Sequence, residues 1–261
     1  MTEPVLRTDR GVPGVVTATL ARPARRNTID PALIAALHGV LDAAESDPDG
    51  RLVVLRGSDG VFSAGMDFEA AAAGGVPDRA TAARGAAEFW ALLRRFTTVP
   101  RIVACAVDGT VAGGGVGLVA AADFAFATPR SSFALPEALW GLLPCCVAPF
   151  LIRRAGFRTA YTMSLGTQPL TAGEAHARGL VDAEPGDPEP RLRALAFRAR
   201  RMSAVTVADV KGYFGRLAPV DAATGRLAVE EFARLMSSAP VGRRIADFAE
   251  RRRFPWEVTD A

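Results

Sequence analysis

The chain has 261 residues and a formal net charge of +3, with 49% apolar and 23% charged residues. This composition excludes a disordered chain, and so small a charge argues against a nucleic-acid partner. Its three cysteines form no C-x-x-C or His-rich pattern, which leaves neither a disulfide framework nor a metal site. No basic-then-apolar leader begins the chain and no apolar run reaches the roughly 20 residues of a membrane span, so we expect a soluble cytoplasmic protein with no membrane partner.

The first part of the chain alternates predicted strands with a helix. Residues 15–20 alternate branched and small side chains, which predicts a strand. Asp30 followed by Pro31 predicts a helix start, because aspartate caps free N–H groups and proline suits the first turn. The apolar stripe of this helix consists of Leu33, Ile34, Leu37, Val40 and Leu41. Residues 52–55 predict the next strand, and the order indicates a parallel layer of an α/β protein.

The middle of the chain contains a run of glycines between two predicted strands. The alanine- and glycine-rich residues 70–87 are predicted to be pliable, and a helix is predicted over 88–96. Strands are predicted over 102–107 and 124–127, and the glycine run 109–118 lies between them and leads into a helix that ends near Ala121. The glycine run and the glycine-bearing residues 62–67 each follow a predicted strand. Because loops that follow parallel strands meet at one sheet edge, we expect a ligand site there.

The chain after Pro144 is predicted to be helical. An amphipathic helix is predicted over 191–202, and its arginine-rich face is either solvated or a docking patch for an acidic protein. Two further helices are predicted over 221–236 and 241–252. A composition shift near residue 200 predicts a core of residues 1–200 and a C-terminal helical lobe of residues 201–261, too small to fold alone. No internal sequence repeat is visible.

The glycine run predicts a site for negative charge, since glycines ahead of a helix expose N–H groups and the positive dipole end. A dinucleotide motif would need glycine in place of Leu118, and a Walker loop would need lysine there. The spacing therefore favours an oxyanion over a phosphate. We expect the backbone N–H groups of Met66 and Gly114 to converge on one carbonyl oxygen, where losing one donor typically costs about 2.7–4 kcal/mol of barrier.

Three ordered motifs carry a family resemblance. Residues 62–67 (FSAGMD), 108–115 (DGTVAGGG) and 136–144 (PEALWGLLP) resemble the enoyl-CoA hydratase/isomerase (crotonase) superfamily in order and spacing. The resemblance covers about residues 5–250. It implies an α/β spiral of ββα units with a C-terminal helical oligomerisation lobe, assembled as a homotrimer or hexamer. It also implies acyl thioesters of coenzyme A or acyl carrier protein (ACP) as substrates, and no cofactor.

The resemblance also implies roles for individual residues. Met66 and Gly114 correspond to the two oxyanion donors, and Glu137 corresponds to a catalytic glutamate. Glu137 has apolar neighbours, so we expect its pKa to be raised by desolvation. Asp67 is a weaker candidate for protonating the leaving hydroxyl, and its alternative role is the N-cap of the following helix. The positions implied in substrate binding are Arg25, Arg26, Ala64 and Gly113, and for the two arginines a solvated surface is the alternative.

One departure from the family pattern narrows the reaction. Hydratases that resemble this chain carry a second glutamate where Gly117 stands, so ordinary hydration is disfavoured. Residues 132–182 are similar to the dehydratases of polyketide β-branching cassettes, which also lack that glutamate. The resemblance implies dehydration of 3-hydroxy-3-methylglutaryl-ACP to 3-methylglutaconyl-ACP. An enoyl-CoA double-bond isomerase, a non-catalytic acyl-ACP-binding subunit and a decarboxylase remain alternatives, and Arg84 is one candidate for holding a distal carboxylate.

Overall fold

The computed structural model describes residues 4–67, 71–72, 76–251 and 254–257, with the exception of the Trp256 side chain. The strands are β1 (Leu6–Asp9), β2 (Val15–Leu20), β3 (Leu52–Arg56), β4 (Val61–Ser63), β5 (Ile102–Val107), β6 (Thr110–Ala112), β7 (Phe124–Ala127), β8 (Ser132–Ala134) and β9 (Leu170–Thr171). The helices are α1 (Pro31–Ser46), α2 (Arg79–Thr98), α3 (Gly114–Ala121), α4 (Ala148–Gly166), α5 (Ala172–Ala177), α6 (Pro188–Ala199), α7 (Ala204–Leu217), α8 (Ala222–Met236) and α9 (Ala239–Arg251).

Within these described ranges the strands form two sheets. The first has the order β1-β2-β3-β5-β7 and is parallel except for β1, and the second has the order β4-β6-β8-β9 and is parallel except for β9. A strand of the first sheet is followed directly by a strand of the second and then by a helix, as in β3-β4-α2 and β5-β6-α3. The predicted α/β spiral of ββα units is therefore confirmed, although no sequence repeat accompanies the structural one.

The first sheet is covered on both faces, which explains why β5 is buried along its whole length. On one face Val53 and Val103 pack in a core cluster with the apolar stripe of α1. On the other face Val54 and Ile102 pack against α6, whose buried side carries Leu192. The helix cap at Asp30 and the apolar stripe of α1 are as predicted, with the Asp30 carboxylate accepting from Leu33 N at 2.8 Å.

Several element boundaries differ from the predictions. The predicted pliable segment is wrong over 79–87, because Asp78 caps a helix there by accepting from Thr81 N at 2.6 Å; residues 70 and 73–75 of that segment lie outside the described residues. The helix α6 begins and ends three residues earlier than predicted, and α7 was not predicted. The short strands of the second sheet were also missed, since two or three residues show no periodicity.

The C-terminal helices pack onto the rest of the chain. In α7, Lys211 Nζ lies 2.7 Å from Asp123 Oδ2 and donates to the Phe96 carbonyl at 2.8 Å. In α9, the Phe248 ring packs edge-on against Trp140 with a centroid distance of 5.1 Å. The division of the chain at residue 200 stays a prediction. Across the described ranges, no helix combines the length and apolar character that crossing a membrane requires.

Candidate active site

Two glycine loops meet at the end of the second sheet. The strands β4 and β6 pair in parallel, so the loops that follow them leave the sheet side by side. Gly65 has φ of +81°, and a Cβ there would lie 2.8 Å from the Ala112 carbonyl oxygen and 3.0 Å from Gly114 N. Any larger residue would separate the loops, so the close approach of the two loops requires glycine at position 65.

Each loop presents a free backbone N–H group. Within the described part of the chain, neither Met66 N nor Gly114 N donates a hydrogen bond. Neighbouring bonds hold both loops in place: Ile29 N donates to the Gly65 carbonyl at 2.8 Å and Gly113 N donates to the Ala134 carbonyl at 3.0 Å. Gly114 also begins α3, whose dipole favours negative charge at that end. The arrangement suits an oxyanion site.

Glu137 lies beside these loops. It follows β8 and the buried Leu135, and it begins a short 3-10 helix that ends at the buried Trp140. A Cβ at Gly113, where φ is +53°, would lie 3.2 Å from Glu137 Oε1, so this glycine makes room for the carboxylate. The other carboxylate oxygen, Oε2, is buried and has no hydrogen-bond partner among the described residues.

The environment of Glu137 changes its acidity. Burial disfavours the ionised carboxylate and raises the pKa of Glu137 to about 7. A carboxyl group with such a pKa can both accept and return a proton near neutral pH, which is what general acid–base catalysis requires. The desolvation predicted from its apolar neighbours is therefore confirmed.

These groups open into one cavity of about 290 Å³. Its lining is mainly apolar and includes residues from both ends of the chain. The residues that line it include Ile29, Ile34, Ala64, Met66, Phe89, Gly113, Gly114, Glu137, Trp140, Leu142, Val147, Phe232 and Met236. The structure therefore brings together five of the predicted site residues: Ala64, Met66, Gly113, Gly114 and Glu137.

Three predicted site residues lie outside this lining. The Asp67 carboxylate pairs with the Arg25 guanidinium and accepts from Thr28 Oγ1 at 2.9 Å. Arg25 is half exposed, and Arg26 is exposed beside it. The geometry indicates that Asp67 anchors the loop carrying Met66 to the segment before α1. Its alternative as an N-cap concerns residues 68–70, which lie outside the described residues.

None of the described residues that line the cavity is lysine or arginine. Arg84 is exposed and donates to Thr81 Oγ1 at 2.8 Å. The arginines of α6 lie on the face of the first sheet opposite to α1, because Leu192 on the buried side of that helix packs with Val54. A carrier protein bound to this arginine face would therefore lie on the opposite side of the first sheet from α1, which contributes Ile34 to the cavity lining.

The three cysteines are free; Cys105 and Cys146 are buried and Cys145 is partly buried. Cys145 and Cys146 line the cavity, and burial raises the pKa of each thiol to about 12. Burial also raises the pKa of Cys105 to about 12. Such thiols stay protonated at neutral pH and are poor nucleophiles.

Most of the apolar residues that line the cavity were not predicted from the sequence. Phe232 and Met236 lie one helical turn apart on α8, and Phe89 lies on α2. Each belongs to an ordinary amphipathic helix, and only tertiary packing distinguishes such residues from the core.

Comparison with known proteins finds similar sequences over most of the chain. A family model for enoyl-CoA hydratase/isomerase matches residues 11–259. The bacillaene synthase dehydratase PksH of Bacillus subtilis is 34% identical over 92% of this chain and 92% of that protein.

Two solved structures show the same fold. A Bacillus subtilis structure described as a polyketide biosynthesis enoyl-CoA hydratase (pksH) has a TM-score of 0.88 and 30% identity, covering 97% of this chain and 100% of that one. An enoyl-CoA hydratase from Mycobacterium avium has a TM-score of 0.83 and 32% identity, covering 98% of this chain and 100% of that one.

Proposed function

The chain belongs to the enoyl-CoA hydratase/isomerase family, and we propose that it dehydrates 3-hydroxy-3-methylglutaryl-ACP to 3-methylglutaconyl-ACP in polyketide β-branching. The observation that carries the proposal is the position of Glu137. Glu137 lines the cavity where Met66 and Gly114 offer free N–H groups, and its buried Oε2 has no hydrogen-bond partner among the described residues. The likeness to a dehydratase of bacillaene synthase supports the choice of reaction and of pathway.

The proposed reaction begins with proton removal. The ionised Glu137 takes the proton from the α-carbon of the acyl group, and the electron pair of that C–H bond moves toward the thioester oxygen. The N–H groups of Met66 and Gly114 stabilise the resulting enolate. Because they are held in place by the loops before the reaction begins, they act on the charge as it develops.

The second step expels water. The enolate electrons form the α–β double bond while the C–O bond at the β-carbon breaks, and Glu137 returns its proton to the departing hydroxyl. The glutamate is ionised again at the end and one water molecule is released. One carboxylate therefore serves first as base and then as acid, which its pKa of about 7 favours.

A mass measurement tests the proposal. Purified protein is incubated with 3-hydroxy-3-methylglutaryl-ACP, and the carrier thioester is followed for the loss of one water. Glu137→Gln is expected to lower the rate at least about 100-fold, and Glu184→Gln serves as the matched control, since that side chain is 84% exposed. No loss of water in the wild type, or an undiminished rate in Glu137→Gln, contradicts the proposal.

A second candidate is an enoyl thioester isomerase. It is favoured by the same unpartnered carboxylate, because one glutamate can move a proton between the α- and γ-carbons. Conversion of a 3-enoyl to a 2-enoyl thioester, with no water lost from the hydroxyacyl substrate, would favour it. Binding of the carrier without any chemistry would instead indicate a non-catalytic acyl-ACP-binding subunit.

We also propose assembly as a homotrimer or hexamer through the C-terminal helices. Large apolar side chains of α7 are exposed by 51% to 68%: Val205, Val210, Tyr213, Phe214 and Leu217. Sedimentation equilibrium of the wild type and of Phe214→Glu tests this. A monomeric wild type contradicts it.

A further inference from the structure

The first turn of α3 has two glycines on one face, and both are contacted by the same aromatic ring. Gly114 and Gly117 are three residues apart, which places them one above the other on the helix. A Cβ at Gly114 would lie 3.3 Å from Phe89 Cζ, and a Cβ at Gly117 would lie 3.4 Å from the same atom. The edge of the Phe89 ring therefore rests on the backbone of this turn.

Aliphatic side chains pack against the same two glycines. A Cβ at Gly114 would lie 3.0 Å from Ile29 Cδ1, and a Cβ at Gly117 would lie 3.0 Å from Val147 Cγ2. Ile29, Phe89 and Val147 all line the cavity, and we name these three residues the α3 wall. The wall is thus the part of the cavity next to the oxyanion donor Gly114.

The α3 wall also explains why position 117 has no carboxylate. A glutamate there would place its first side-chain carbon in contact with Val147 and Phe89 and would need a charge partner that these residues do not supply. Burying an unpaired carboxylate among apolar groups is strongly unfavourable. The space near Gly117 is therefore filled by hydrocarbon.

The position of the α3 wall relates it to the acyl chain. A thioester oxygen bound by Gly114 N–H puts the carbonyl carbon beside the wall, and the β-carbon is only two bonds further along the chain. A methyl branch on that carbon would be removed from water against Phe89 and Val147. A straight-chain substrate would leave the same apolar surface without a partner.

We propose that the α3 wall binds an apolar branch on the β-carbon and gives the enzyme its preference for 3-hydroxy-3-methylacyl over straight-chain 3-hydroxyacyl thioesters. This inference rests on the proposed function and adds the residues that select its branched substrate. It makes Ile29, Phe89 and Val147 specificity-determining residues, with no part in proton transfer.

The test compares kcat/KM for a 3-hydroxy-3-methylacyl and a 3-hydroxyacyl thioester on the same carrier. The wild type is expected to prefer the branched substrate by at least about 10-fold, the usual effect of one methyl group in an apolar pocket. Val147→Ala and the isosteric Val147→Thr are expected to remove most of that preference. Val116→Ala is the matched control, because Val116 is equally buried on α3 and lies outside the lining.

The outcomes separate the two proposals. Equal turnover of both substrates by the wild type, or an unchanged preference in both Val147 variants that fold by circular dichroism, overturns the role of the α3 wall alone. A wild type that dehydrates neither thioester overturns the proposed function and this inference with it. A preference that falls in the Val147 variants and persists in Val116→Ala supports the assignment.

Discussion

Replacing Glu137 with glutamine should change how the stability of the protein depends on pH. The ordinary pKa of 4.5 rises to about 7 in the folded chain because burial disfavours the charge. Ionisation is therefore easier in the unfolded state. Below the pKa of Glu137 in the unfolded chain, the carboxyl is neutral in both states and does not change the free energy of unfolding. As the pH rises from there toward 7, the free energy of unfolding falls.

The size of the effect follows from the shift. At about 1.36 kcal/mol per pKa unit, the full difference is roughly 3 kcal/mol. Glutamine carries no charge at any pH. The free energy of unfolding of Glu137→Gln, relative to that of the wild type, should therefore increase by about 2–3 kcal/mol between about pH 5 and about pH 8.5. Because only the change with pH is used, any constant effect of the amide on packing cancels.

Urea denaturation of both proteins at each pH measures this difference, with Glu184→Gln as the exposed control. The control should follow the wild type throughout. If the free energies of unfolding of the wild type and Glu137→Gln run parallel with pH, Glu137 is not desolvated in the way the structure shows.

Three further predictions follow from neighbouring contacts. Gly65→Ala should lower kcat/KM by about 10²–10³-fold, because a Cβ 3.0 Å from Gly114 N displaces the proposed oxyanion donors, whereas Gly39→Ala, whose Cβ meets no atom of the described residues within 4 Å, should not. Asp67→Asn should lower kcat for dehydration less than about 10-fold, and a loss equal to that of Glu137→Gln would instead assign proton transfer to Asp67. Lys211→Met should lower the free energy of unfolding by about 1–3 kcal/mol, measured by urea denaturation, because it leaves the partly buried Asp123 carboxylate without its cation, and the double variant with Asp123→Asn should recover stability; an unchanged single variant would contradict this.

The sequence predicted the elements that depend on local patterns. The cap at Asp30 and the stripe of α1 follow from short-range hydrogen bonding and helical periodicity, and both were found. The long strand β5 was predicted because six consecutive apolar residues need cover on both faces. The second sheet was missed because strands such as β4 and β6 owe their conformation to pairing with each other.

The site was predicted to a similar extent. Glycine spacing and the family resemblance indicated Met66, Gly114 and Glu137, and the structure places all three in one cavity. The sequence did not indicate that the Asp67 carboxylate would accept hydrogen bonds from Arg25 and Thr28, because those residues lie about forty positions away in the chain. The sequence also did not indicate that Phe89 would lie against the glycines of α3, because this contact depends on how α2 packs against α3.

Hydrogen exchange at the α-carbon tests the central claim most directly. The carrier thioester of 3-methylglutarate lacks the β-hydroxyl, so it can form the enolate but cannot lose water. In deuterated water the wild type should exchange its α-hydrogen for deuterium, and Glu137→Gln should not. Dehydration of 3-hydroxy-3-methylglutaryl-ACP without any such exchange, or equal exchange by Glu137→Gln, would contradict an enolate formed by Glu137 and held by Met66 and Gly114.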